Sequence, residues 1–185
     1  NSQTFTGYTS TKETTKVTKY RKVTAKGTTG FQLVLETTPF YAESGGQVGD
    51  TGVLEFNDSS IEVIDTKKEN NLIIHFTSAL PASLEGSVVA KVNISNRKNI
   101  SAHHSATHLL HAALRQVLGN HVAQKGSLVN AAQLCFDFSH FAKVSDDEMK
   151  QIENIVNEKI RENIPVVIKE MTKDEAVAMG AMALF

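Results

Sequence analysis

The 185-residue chain has one cysteine, three prolines and no tryptophan. A lone cysteine, Cys135, excludes an intrachain disulfide and a disulfide framework, and suits a reducing cytoplasm. No apolar run reaches the roughly 18–20 residues of a membrane span, and the polar start Asn1-Ser2-Gln3-Thr4 is no signal peptide. Neither sign of charge is in surplus: 19 Lys+Arg against 20 Asp+Glu leave a formal net charge of −1. That excludes a strongly basic nucleic-acid module but allows a local phosphate-binding patch. Apolar residues, at 41%, are too many for disorder and enough for one large or two small cores. The chain also lacks an initiator Met and stops at Ala181-Met182-Ala183-Leu184-Phe185. Termini are usually polar, so it reads as an excised piece whose last residues continue into a paired strand.

Composition changes near residue 93. Before it, short alternating runs at residues 15–20, 31–36, 60–64, 72–76 and 87–92 read as strands, separated by turn signals at Lys26-Gly27, Asn57-Asp58 and Asn70-Asn71. Short strands so closely spaced predict a small antiparallel barrel or sandwich over residues 1–93, of which the β-barrel is the reading carried forward. After it the period becomes 3.6. A helix is expected over 103–118, a hairpin at 123–129 and 133–139, then a helix capped by Ser145 and Glu148. The apolar stripe of that helix is Met149, Ile152, Ile155, Val156 and Ile160. A strand from Pro165 to Ile168 and a short helix capped by Thr172 and Glu175 follow. The fold class is therefore α+β: an N-terminal barrel, then a helix–hairpin–helix–strand domain over 94–185.

Two segments carry candidate chemistry. On the first helix, Ala106, Leu110, Ala113, Leu114 and Val117 form the core stripe, while His104, Thr107, His108, His111 and Arg115 lie on another face. Three histidines off the stripe are not packing residues, and His104 and His108, four apart, could point at one metal ion. A polar face without ligand and an acid/base role without metal remain open. A zinc protease is excluded, because no Glu stands beside the first histidine. Zinc wants three or four protein ligands, and Cys135 and His140, five apart on one strand, fall on opposite faces. The second segment, Phe40 to Gly52, is dense in glycine. Gly45-Gly46 permits positive φ and close approach, and Gln47 adds a donor and an acceptor. It is either a tight barrel turn or a ligand-binding loop, and no Gly-Lys-Ser/Thr makes it a P-loop.

In order, FYAESGGQVGDTG (Phe40–Gly52), HSATHLLHAALRQVLG (His104–Gly119), VAQKGSLV (Val122–Val129), FDFSH (Phe136–His140) and GAMALF (Gly180–Phe185) resemble the editing region of alanyl-tRNA synthetase and the free-standing alanyl-tRNA editing proteins. The likeness runs from about residue 30 to the end. It implies a zinc-dependent hydrolase that removes serine or glycine from tRNA(Ala), in a ligase that joins alanine to that tRNA with ATP and Mg2+ in a preceding domain. It implies His104 and His108 as zinc ligands and Thr107 and Gln124 as catalytic-pocket residues, with Gly45, Gly46 and Gln47 bordering the substrate. The partner implied is the tRNA(Ala) acceptor end, with no membrane and no disulfide-linked partner, and the localisation is cytoplasmic. Two departures stand out. The family's other zinc ligands come from a downstream Cys-Gly-Gly-Thr-His element that this sequence does not contain, so the piece is expected to be nearly inactive alone. Cys135 occupies a position that is usually arginine. Competing readings are an RNA-binding module guided by Lys16, Lys19, Arg21, Lys22, Arg97 and Lys98, the related editing domain of threonyl-tRNA synthetase, and a metal-free hydrolase with Cys135 as nucleophile.

Overall fold

The computed structural model describes residues 3–25, 27–167, 169 and 171–181. It divides into two compact units, one of residues 1–103 with 128–134 and the other of 104–127 with 135–185. The composition change at residue 93 thus falls ten residues before this division.

In the first unit the strands are β1 (Thr4–Phe5), β2 (Lys12–Thr15), β3 (Val17–Ala25), β4 (Thr28–Leu35), β5 (Thr37–Thr38), β6 (Gly52–Glu55), β7 (Ser60–Glu69), β8 (Leu72–Thr77) and β9 (Val88–Val92). Seven of them form one antiparallel sheet in the order β2-β9-β6-β7-β8-β4-β3. Its terminal strands β2 and β3 are consecutive in the chain, separated only by Lys16. One stretch of backbone therefore serves both ends of the order, and the sheet curls to bring them together, as a small barrel does. β1 and β5 make a separate parallel pair.

The alternation expected of half-buried strands is obeyed. Val88, Ala90 and Val92 of β9 are buried, and so are Ile61 and Val63 of β7. A register shift between Val63 and Asp65 then re-phases β7, leaving Ile64 exposed and burying Thr66. Leu33, Leu35, Phe40 and Leu54 complete the core. Asn70 and Asn71, both at positive φ (48° and 64°), close the β7–β8 hairpin with the backbone signs of a type I′ turn. At a second of the expected turns, Gly27 takes a φ of 79°, and Lys26 lies outside the described residues.

The helical elements are α1 (Ile94–Leu118), α2 (Asp146–Arg161) and α3 (Lys173–Ala178), with the hairpin strands β10 (Gln124–Val129) and β11 (Leu134–Phe138). The expected helix at 103–118 starts earlier. The Asn93 side chain accepts from the Asn96 amide (3.1 Å) and the Asn93 carbonyl from the Arg97 amide (3.0 Å), so Asn93 caps a polar first half that has no apolar period. Both capping boxes are formed, at Ser145/Glu148 and Thr172/Glu175. In the second unit Ala113, Leu114, Val122 and Ile152 are the core, flanked by Leu110, Val117, Phe136, Phe138, Ile155 and Val156. Met149 and Ile160, at the ends of the α2 stripe, are exposed.

The strand expected from Pro165 is not formed over 165–167. These residues carry no ladder, and Val166 and Val167 are largely exposed, because the only sheet after α1 among the described residues is the two-stranded β10–β11 pair. Ile168 and the run 182–185, with its expected terminal strand, lie outside the described residues. No helix among the described residues is long and apolar enough to cross a membrane.

Candidate functional site

The glycine loop belongs to the first unit. The Ser44 and Gln47 amides and carbonyls bond reciprocally (3.1 and 3.0 Å), with Gly45 and Gly46 at φ 60° and 81° between them. That is a two-residue turn only glycine enters without strain. The Val129 amide donates to the Gly46 carbonyl (2.8 Å) and the Val48 amide to the Val129 carbonyl (3.0 Å), so the turn lies against the end of β10. Gln47 is buried. The later glycines serve packing: a Cβ on Gly49 would stand 2.0 Å from the Thr66 carbonyl oxygen, and one on Gly52 would stand 2.1 Å from that of Lys91. Of the two readings of this motif, the tight turn accounts for its shape, and Gly45, the exposed residue at its tip, has open space around it.

The neck of the loop is held by charge. The Asp50 carboxylate accepts from the Tyr41 amide (2.7 Å) and from Arg97 Nε (2.9 and 3.0 Å), and pairs with Arg97 Nη2. Arg97 also donates to the carbonyls of Gly7 (2.7 Å) and Pro39 (2.9 Å). Asp50 is 1% and Arg97 15% exposed at the side chain. Sequence reasoning counted Arg97 only as a surface cation. The one signal for this latch was an acid inside a glycine-rich run. Burial raises the Tyr41 hydroxyl above its usual range, against a hydrogen bond to Ser44 that lowers it.

The second unit carries the histidine face. The His104 and His108 rings are nearly parallel, 15° apart in plane, with centroids separated by 5.1 Å. A shared ion would need one nitrogen of each ring at about 2.0–2.1 Å. His104 titrates below its ordinary value, first through burial and then through the neighbouring His108 charge. Both effects keep its lone pair available as a ligand needs. Thr107 is buried beside them, and Gln124 is the partly buried first residue of β10. Among the described residues no group of three or more His, Cys, Asp or Glu converges on a common point. His104 and His108 are therefore two candidate ligands without a third donor among the described residues.

His111 differs from the expectation for the three histidines. It is buried, its ring centroid is 5.2 Å from that of Phe136, and its Nε2 has no hydrogen-bond partner. It is a packing residue, because α1 buries a wider arc than its apolar residues alone mark out. Arg115, from the same polar face, closes the helix end by donating to the carbonyls of Asn120 (2.7 Å) and Val122 (2.9 Å). On β11 the alternation places Phe136 and Phe138 at the core and leaves Cys135 and Asp137 exposed. His140 Nδ1 is 2.8 Å from His121 Nε2, which engages it with another imidazole.

A curled antiparallel sheet followed by a helix with paired histidines sits in a chain that belongs to the family described as tRNA synthetases class II (A), whose family model matches residues 1–97. Along its whole length the chain is similar to alanine–tRNA ligases. That of Cytophaga hutchinsonii is 58% identical over 182 residues, covering 98% of this chain and 21% of the relative. That of Bacteroides thetaiotaomicron is 54% identical with the same coverage, and that of Flavobacterium psychrophilum is 52% identical over all of this chain and 22% of its own. The chain spans about a fifth of the length of the curated relatives it matches.

Proposed function

We propose that this chain is the editing region of a cytoplasmic alanine–tRNA ligase and that it hydrolyses the ester of serine or glycine wrongly joined to tRNA(Ala). The observation that carries the reading is the parallel pair His104 and His108 at 5.1 Å, in a segment 58% identical to an alanine–tRNA ligase. In it, His104 and His108 hold zinc as two of its ligands. When bound, zinc supplies positive charge beside the ester, lowering the pKa of a bound water or anchoring the substrate's amino group.

Thr107, on the helical turn between these histidines, presents a hydroxyl that can hydrogen-bond the hydroxyl of serine. Gln124 supplies an amide to orient the ester. Alanine lacks the hydroxyl and leaves that contact unpaired, which is how polar pockets reject the smaller analogue. Joining alanine to tRNA(Ala) with ATP and Mg2+ belongs to the whole ligase, outside these 185 residues.

The test uses the whole ligase and pre-charged tRNA(Ala). Ser-tRNA(Ala) should be cleared and Ala-tRNA(Ala) spared, and His104→Ala or His108→Ala should abolish clearance while leaving aminoacylation intact. Equal hydrolysis of both esters would remove the pocket argument, and undiminished clearance by the variants would remove the histidine pair.

A further inference from the structure

The most buried line of α1 runs through Ile100, Thr107, His111 and Leu114, which are 3%, 6%, 6% and 3% exposed. Their spacings of seven, four and three residues keep them on one side of the helix. The ends of this line are apolar and its middle is polar on two consecutive turns. A helix that had only to pack would carry aliphatic residues there, because a polar group taken out of water costs free energy unless it is bonded.

His111 does not meet that condition. Its Nε2 is the only side-chain nitrogen or oxygen among the described residues that is sealed from solvent and has no hydrogen-bond partner. Packing accounts for the ring as a body, which lies tilted by 43° against Phe136 with centroids 5.2 Å apart. It does not account for the nitrogen, since a leucine of similar size would fill the space and leave nothing unpaired. Orphaned acceptors are less rare in folded proteins than orphaned N–H groups, which places the proton of the neutral ring on Nδ1 and leaves Nε2 a bare lone pair.

We infer that His111 is a positioning residue of the proposed editing site and acts through Thr107: when the serine ester is bound, the Thr107 hydroxyl donates to His111 Nε2 and accepts from the serine hydroxyl. Helical side chains lean back toward the N-terminus, so the ring of residue 111 overlies the turn that carries residue 107. Threonine in a helix has two χ1 states open to it, and a turn about that bond brings its hydroxyl to a new partner. With its own proton given to the imidazole, the threonine oxygen faces the substrate as an acceptor, which the serine hydroxyl satisfies. Glycine and alanine have no hydroxyl to offer it. The inference rests on the editing reading above and adds to it the group that sets the direction of the Thr107 hydrogen bond.

The experiment compares kcat/KM of the whole ligase for clearing Ser-tRNA(Ala) and Gly-tRNA(Ala). His111→Leu and His111→Asn, whose amide reaches only as far as Nδ1, should each lower serine clearance about tenfold and leave glycine clearance within about twofold. His111→Gln, whose amide reaches the place of Nε2, should keep serine clearance within about threefold of the parent. Adding His111→Leu to Thr107→Val should cost nothing beyond Thr107→Val alone, since the imidazole acts only through that hydroxyl. In the 185-residue chain, 15N NMR at neutral pH should show His111 Nε2 unprotonated. Equal losses on both esters in the Leu and Asn variants, additive losses with Thr107→Val, or a protonated Nε2 would each overturn the inference. A parent ligase that clears neither ester would instead fell the editing reading itself, and this inference with it.

Discussion

At the scale of single residues, the most constrained titratable group is His75. It is fully buried, with Nδ1 donating to the Leu33 carbonyl (3.0 Å) and Nε2 accepting from the Thr38 hydroxyl (2.7 Å). That hydroxyl itself accepts from the Phe40 amide (3.1 Å). The chain of bonds is complete for the neutral imidazole, and a second proton would force Thr38 to give up its donor role. Burial accordingly drives His75 from 6.5 to about 4, against a smaller opposing effect of the Leu33 carbonyl. The folded pKa lies below the unfolded one, so between pH 6.5 and 4 only the unfolded chain takes up this proton. Stability from this site is whole above pH 6.5 and is lost as pH falls toward 4, by about 3 kcal/mol. Denaturant unfolding of the chain and of His75→Asn at pH 7 and pH 4 tests this. The variant should be the less stable at pH 7 and should lose about 3 kcal/mol less than the parent chain on acidification. Equal losses would assign the acid sensitivity to other groups.

At the scale of elements, Arg97 ties the first turn of α1 to the neck of the glycine loop. Its guanidinium spans Asp50, Gly7 and Pro39. Removing one member of a buried pair leaves the other charged and unpaired, which costs about 3–5 kcal/mol. Arg97→Ala should therefore lower unfolding free energy by that order, and in a double-mutant cycle with Asp50→Asn the two changes should be far from additive. Additive effects would mean that the pair contributes only packing. This latch also marks where sequence stops being legible. Strands with one buried face announce themselves by alternation, as β7 and β9 do, and α2 and α3 by their capping boxes. The first half of α1 has neither signal, because Ile94–His103 is stabilised by a cap at Asn93 and by Arg97 reaching residues 47 and more positions away. Strands as short as β1, β2 and β5 carry too few residues to show a period. The strand expected from Pro165 fails for the opposite reason: its composition favours extension, but a strand exists only where a partner edge is available. At the candidate site, helical spacing brought out His104 and His108. The same spacing grouped His111 with them, since sequence does not reveal that Phe136 packs over it.

At the scale of the whole molecule, the candidate site residues divide between the two units. Gly45, Gly46 and Gln47 belong to the first, and His104, Thr107, His108 and Gln124 to the second. The histidine pair offers two candidate ligands, but a closed zinc site takes four, and among the described residues no third donor joins it. Cys135 lies exposed on β11, and His140 is engaged with His121, so neither completes the set. Two imidazoles alone hold zinc weakly and leave it open to competition from buffer and chelator. The chain loaded with zinc and then dialysed against EDTA should retain well under one equivalent by elemental analysis. Before dialysis, weak uptake followed by competition with a chromophoric chelator should fall on His104→Ala and on His108→Ala and stay unchanged on His140→Ala. A stoichiometric zinc that survives the chelator would mean that the ligand set is complete within these 185 residues. Loss of uptake on His140→Ala alone would move the metal from α1 to the His121–His140 pair.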